Sequence, residues 1–158
     1  MTGVATALAG DDEMRARIKR HRRERPAGFD TVEASLALAA ALREHAASER
    51  LPIVDCLTRW LTNWLMPASG MADASAWHAE HESLTSVLRS VPSPAVFVSN
   101  QVGWGMVPLS RGVREYVDEL GRLNQAVTRC CSKLTLMVAG QAWTRAVVDD
   151  NQDENDVE

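Results

Sequence analysis

The runs "LPIVDC" at 51–56 and "PAVFVSN" at 94–100 are continuously apolar rather than alternating, and each is bounded by polar or turn-forming residues. A strand apolar on both faces is covered on both faces, and that pattern belongs to parallel sheets flanked by helices. The rest of the chain keeps the same rhythm. Short strands are expected at "VATA" (4–7), "FDTVEA" (29–34) and "KLTLMVAG" (133–140). Between them, helical patterns run over 10–25, 35–47, 57–66, 73–90 and 111–131. Asp11 or Asp12 can cap the first helix, and Pro26 closes it. The expectation is an α/β domain over residues 1–140, with a mostly parallel sheet and helices on both faces. Ligands of such sheets bind beyond the carboxyl ends of the strands. That rule singles out Ala5–Ala7, Asp55–Thr58 and Ser99–Gly105.

A chain of 158 residues with 46% hydrophobic content can bury one core. Its net charge of −4 argues against a general nucleic-acid binder, and the early basic run lacks interleaved aromatics. The end, "VVDDNQDENDVE", is acidic and poor in apolar residues, so 141–158 are expected to form a disordered tail. No apolar run reaches the length of a membrane span, and the start has no basic n-region, so a cytoplasmic chain is expected. Three cysteines, Cys56, Cys130 and Cys131, are an odd number with two adjacent, which suits reduced thiols rather than a disulfide framework. His45, His78 and His81 show no metal-ligand spacing.

The stretch "KRHRRERP", 19–26, places five basic side chains around His21. Arg17 and Arg25 lie one helical turn to either side of it. Neighbouring cations disfavour the imidazolium, and a neutral imidazole is a nucleophile. The same guanidiniums attract phosphate. Against this stands a surface basic helix with an incidental histidine. Asp55 ends a buried strand, where an acid can hold Mg²⁺ on a nucleotide or can cap the following helix. The loop "SNQVGWGMVP", 99–108, offers two glycines for close approach and Trp104 for stacking on a flat ring, or is an ordinary turn.

The ordered set of "ATA", "DDEMRARI", H-x-x-x-R-P at 21–26, "VDCLT" at 54–58, "VSNQVGWGMVP" at 98–108 and "GRLNQAV" at 121–127 resembles the bifunctional adenosylcobinamide kinase/adenosylcobinamide-phosphate guanylyltransferase family of cobalamin biosynthesis. The resemblance implies a P-loop-NTPase-like fold and two reactions. A nucleoside triphosphate phosphorylates adenosylcobinamide; GMP from GTP then passes, through a histidine–GMP intermediate, to the cobinamide phosphate. It also implies roles for single residues. His21 matches the guanylylated histidine, and Ala5, Thr6 and Ala7 a nucleotide-contacting turn. Arg22, Arg23, Glu24 and Arg25 match a segment that closes over the guanine nucleotide. Glu33 and Asp55 match acidic nucleotide-site positions, with Asp55 the metal partner. Mg²⁺, with GTP and ATP as substrates, and a homotrimer are implied as well.

Several positions depart from the family pattern. No G-x-x-x-x-G-K-S run occurs in the chain, so the family's first strand and phosphate loop are expected to be missing. The family's N-E-V-G reads "NQVG", with Gln101 in place of an acid, and its E-N-R reads "LSR". The alternative is a truncated, non-catalytic relative that keeps the fold or a subunit role.

Overall fold

A computed structural model describes residues 2–8, 12–24, 26, 28–45, 51–68, 70–90 and 93–147, leaving aside the side chains of 14, 17, 21 and 22. Four of the expected strands, β1 (Thr2–Ala5), β2 (Asp30–Glu33), β3 (Pro52–Asp55) and β4 (Val96–Val98), form a parallel sheet in the order β2-β1-β3-β4. The register aligns Val32, Val4, Val54 and Phe97 in one row across it. Val4 and Val54 in that row are fully buried, because side chains alternate between faces and this row meets the helices. On the opposite face the Phe29 ring lies so close over Gly3 that a Cβ there would overlap it, so any other residue at this position requires the ring to shift.

The helices are α1 (Asp12–Glu24), α2 (Leu38–His45), α3 (Leu57–Leu65), α4 (Ala74–Ser90) and α5 (Arg111–Arg129). Asp12 and Glu13 in the first turn of α1 suit its positive end. Asp73 caps α4 through the Ala76 N–H at 3.0 Å. The first turn of α2 is capped from another element: the Ala39 N–H donates to Glu80 Oε1 of α4 at 2.9 Å. Buried side chains at helical spacing, Leu57, Trp60 and Leu61 on α3 and Leu120, Leu123 and Val127 on α5, join Leu38, Leu42, Leu84 and Val87 in one core. Among the described residues that core draws on α2 to α5 and not on α1.

Tryptophans dominate the layer between α3, α4 and α5. Trp77 meets Trp60 edge-on at 5.1 Å and stacks on His81 at 5.4 Å. Its indole N–H donates to Glu119 at 2.8 Å, and Glu119 also holds Arg122 at 2.8 Å. His81 Nε2 is buried without a hydrogen-bond partner. Burial pushes the His81 pKa below its ordinary 6.5, with Glu119 and Glu82 opposing and His78 adding to the fall. The sign follows from linkage. The unfolded imidazole binds a proton at a pH where the folded one does not, so stability is complete above about 6.5 and declines as the pH falls below it. Unfolding free energy is therefore expected to drop as the pH falls below about 6.5, and less so in His81→Phe, which keeps the stacked ring. Equal pH dependence in the two proteins would exclude His81 as the source.

Two expectations need correction at the C-terminal end. The strand at 133–140 does not join the parallel sheet. As β5 (Lys133–Val138) it pairs antiparallel with β6 (Gln141–Ala146), a strand inside the segment expected to be a disordered tail. The reversal runs through Ala139 and Gly140, both at positive φ, the geometry of a two-residue hairpin turn. Residues 148–158 of the expected tail lie outside the described residues. Trp143 and Met137 on this hairpin are about 60% exposed, so the ribbon lacks the apolar cover that normally stabilises two strands.

Candidate active site

The sheet register builds the candidate site. Ala5, the last residue of β1, pairs with Glu33 on one side and Asp55 on the other. Asp55 pairs in turn with Val98. The row Glu33–Ala5–Asp55–Val98 thus crosses the carboxyl end of the sheet and points to the face opposite Val4 and Val54. Adjacent strands lie about 4.8 Å apart, so the two acidic residues flank a gap two strand spacings wide, floored by the small Ala5. Both are exposed. Ala7 follows at the rim, half-buried.

Thr6 sits behind this rim and is fully buried. Its hydroxyl donates to the Cys56 carbonyl at 2.8 Å and accepts the Cys56 N–H at 2.9 Å. Its own N–H donates to the Asp55 carbonyl at 3.4 Å, and its carbonyl accepts Asn63 Nδ2 at 2.7 Å. Every polar group of Thr6 has a partner within the protein, and its hydroxyl is a latch that ties the tip of β1 to the tip of β3. Thr6→Val keeps the shape and leaves the Cys56 N–H without its partner, while the Cys56 carbonyl keeps the Trp60 N–H at 3.1 Å. It is expected to cost about 1–3 kcal/mol in denaturant unfolding, the cost of one donor left without a partner. A loss below about 0.5 kcal/mol would show the latch to be idle.

Asn63 was not singled out by the sequence reading. On α3 it donates to Thr6 and also to the Ser35 carbonyl at 2.8 Å, tying the ends of β1 and β2 to the helix. The signal was an asparagine within the apolar repeat "LTRWLTNWL". Beyond β4, residues 99–105 fold back over α5 through a short 3₁₀ turn, Val102–Trp104. Between this segment and α5 lies a hollow of about 560 Å³, lined by Gln101, Val102, Gly103, Asp118, Arg122 and Gln125 among others. That size suits a small-molecule ligand. Trp104 is exposed and not packed into the core.

The basic segment lies on α1. His21 and Arg22 belong to that helix, but their side chains, and all of Arg25, lie outside the described residues. Arg23 and Glu24 are exposed on the last turn; Arg23 Nε donates to the Lys19 carbonyl at 3.4 Å, and Glu24 lies 4.0 Å from Arg20. Among the described residues no group of three or more His, Cys, Asp or Glu side chains could hold a metal ion. Glu33 and Asp55 fit the other mode, in which Mg²⁺ is held by one or two carboxylates together with substrate phosphates.

A family described as cobinamide kinase / cobinamide phosphate guanyltransferase matches residues 1–144. The chain belongs to that family. It is similar to the bifunctional adenosylcobalamin biosynthesis protein CobP of Pseudomonas aeruginosa, 47% identical over 137 residues that cover 87% of this chain and 77% of the relative. It is also similar to the CobU proteins of Escherichia coli and Salmonella typhimurium, at 34% and 32% identity over 146 residues, 87% of this chain and 81% of each relative. Membership in the cobinamide kinase/guanyltransferase family makes this an enzyme fold for kinase and guanylyltransferase chemistry. It carries the four-stranded parallel sheet of a P-loop-NTPase-like α/β protein. No helix among the described residues is long and apolar enough to cross a membrane.

Proposed function

We propose that this chain acts on adenosylcobinamide in two steps, phosphorylating its hydroxyl and then transferring GMP from GTP to the resulting phosphate through His21. The observation that carries the reading is the pairing of Glu33 and Asp55 about Ala5 at the strand tips, directly where β1 leads into the histidine-bearing helix. α1 connects β1 to β2, so it steps along the sheet in the sense opposite to the connection from β2 to β3. Right-handed crossovers then put α1 over the face that carries Glu33 and Asp55.

In the guanylyl step a neutral ring nitrogen of His21 attacks the α-phosphorus. The bond from that phosphorus to the bridging oxygen breaks, and pyrophosphate leaves with the electron pair. A phosphate oxygen of the cobinamide phosphate then attacks the same phosphorus, the N–P bond breaks, and the imidazole is restored. Arg22, Arg23 and Arg25 supply positive charge toward the triphosphate, and Glu24 closes the same segment. Ala5 and Ala7 let the nucleotide approach the backbone of the strand tip. Asp55, with Glu33 opposite it, would hold Mg²⁺, which supplies charge neutralisation on the phosphates.

Both steps need the β- and γ-phosphates clamped. Among the described residues no strand pairs with the far edge of β4, where Val96 and Val98 are exposed, and the β5–β6 hairpin stands apart. The reading includes a clamp for those phosphates beside that edge, and assembly as a homotrimer. The test is incubation with α-labelled GTP and Mg²⁺. An acid-labile, alkali-stable label on the protein is expected; no label would favour the non-catalytic relative.

A further inference from the structure

The segment that follows β4 has only a short 3₁₀ turn, Val102–Trp104, of its own. It is clamped from two helices by a chain of side-chain hydrogen bonds. On the α3 side, the Asn100 backbone N–H and its Nδ2 both donate to Thr58 Oγ1, at 3.1 and 3.0 Å. On the α5 side, Asn124 Oδ1 accepts the Ser99 hydroxyl at 2.6 Å while its Nδ2 donates to the Asn100 carbonyl at 3.3 Å. Thr58 is itself fixed from behind. Its carbonyl accepts Tyr116 Oη at 2.9 Å and Thr62 Oγ1 at 2.9 Å, and those two hydroxyls lie 3.2 Å apart. One threonine therefore links the turn after Asp55 to the turn after Val98, its partner in the sheet.

The arrangement is specific to the residue types present. A hydroxyl oxygen has two acceptor sites, and Asn100 fills both at Thr58. Asn124 has one acceptor and one donor directed at successive residues of the loop, a match that aspartate or leucine cannot reproduce. Both clamps act on the two residues immediately before Gln101, which lines the hollow beside α5. Thr58, Asn100 and Asn124 are themselves outside the apolar core.

We infer that Thr58 and Asn124 are positioning residues, which act through Asn100 to hold Gln101 and the strand-tip loop in the orientation that nucleotide transfer requires. The inference rests on the two-step reading above. A loop held at one angle contributes to the transition state rather than to ground-state binding, so its release lowers kcat more than it raises KM.

The experiment compares wild type, Thr58→Val, Thr58→Ser and Asn124→Asp for GTP-dependent labelling and for GMP transfer, alongside thermal unfolding. Thr58→Val is expected to lower kcat by about tenfold to a hundredfold, with KM for GTP changed by less than about threefold. Thr58→Ser keeps both acceptor sites and is expected to stay within about threefold of wild type. Asn124→Asp keeps the acceptor for Ser99 but loses the donor to Asn100, and is expected to lower kcat about tenfold. Wild-type rates in both Thr58→Val and Asn124→Asp overturn the inference and leave the two-step reading standing. So does a Thr58→Ser variant as impaired as Thr58→Val, since the hydroxyl would then not be the cause. Failure of both Thr58→Val and Asn124→Asp to fold assigns the pair a structural role and overturns it too. A wild-type protein without labelling removes the two-step reading and this inference with it.

Discussion

His21→Ala is expected to abolish the protein-bound GMP label and to lower guanylyl transfer by about a thousandfold or more, while phosphorylation of the cobinamide hydroxyl continues. The asymmetry follows from the chemistry. In the proposed mechanism only the guanylyl step forms a bond to the imidazole; in the kinase step the substrate hydroxyl attacks the γ-phosphorus and needs positioning and charge, not a protein nucleophile. The substitution sits in α1. Alanine is a good helix former, so α1 itself should persist. Label retained in His21→Ala would exclude His21 as the attacked residue. Equal loss of both half-reactions would make it a general phosphate-site residue instead of the covalent one.

The second large effect concerns stability. Trp77→Ala is expected to cost about 3–5 kcal/mol, enough to bring a domain of ordinary stability close to unfolding at ambient temperature. Trp77 is 1% exposed and is the meeting point of three helices. It packs against Trp60 of α3 at 5.1 Å, Trp64 of α3 at 6.4 Å and His81 of α4 at 5.4 Å, and it donates to Glu119 of α5 at 2.8 Å. Truncation removes a large apolar volume and strips Glu119 of one of the two hydrogen bonds that, against its burial, keep its carboxyl below the usual range. Unfolding by urea, followed by far-ultraviolet circular dichroism, measures the change. A loss under about 1 kcal/mol would mean that the helices close over the gap, and that the aromatic layer does not organise them.

The strand-tip row shows how far the sequence could be read. Asp55 was recognisable as an acid ending a buried strand, because the run before it is continuously apolar. Its relation to Glu33 was not, since it depends on both strands pairing with β1 in a particular register. Nor was the bonding of Thr6, since its hydroxyl finds its partner in Cys56, fifty residues later. The hairpin was missed because its turn is Ala139–Gly140 instead of the Asn-Gly or Asp-Gly pair that marks such turns. Thr58, Asn63 and Asn124 gave no local signal beyond being polar residues on apolar-patterned helices; their roles come from partners on other elements.

Local chemistry determined the order of strands and helices, the basic helix with its histidine, and the acid at the end of β3, because periodicity, capping and charge act within a few residues. The ordered motifs also determined the family. Tertiary structure alone decided which acid faces which, that the Thr6 hydroxyl is sealed, and that two helices clamp the loop after β4. Those facts are hydrogen bonds and strand pairings between residues far apart in the chain, and no local propensity encodes the distance between them.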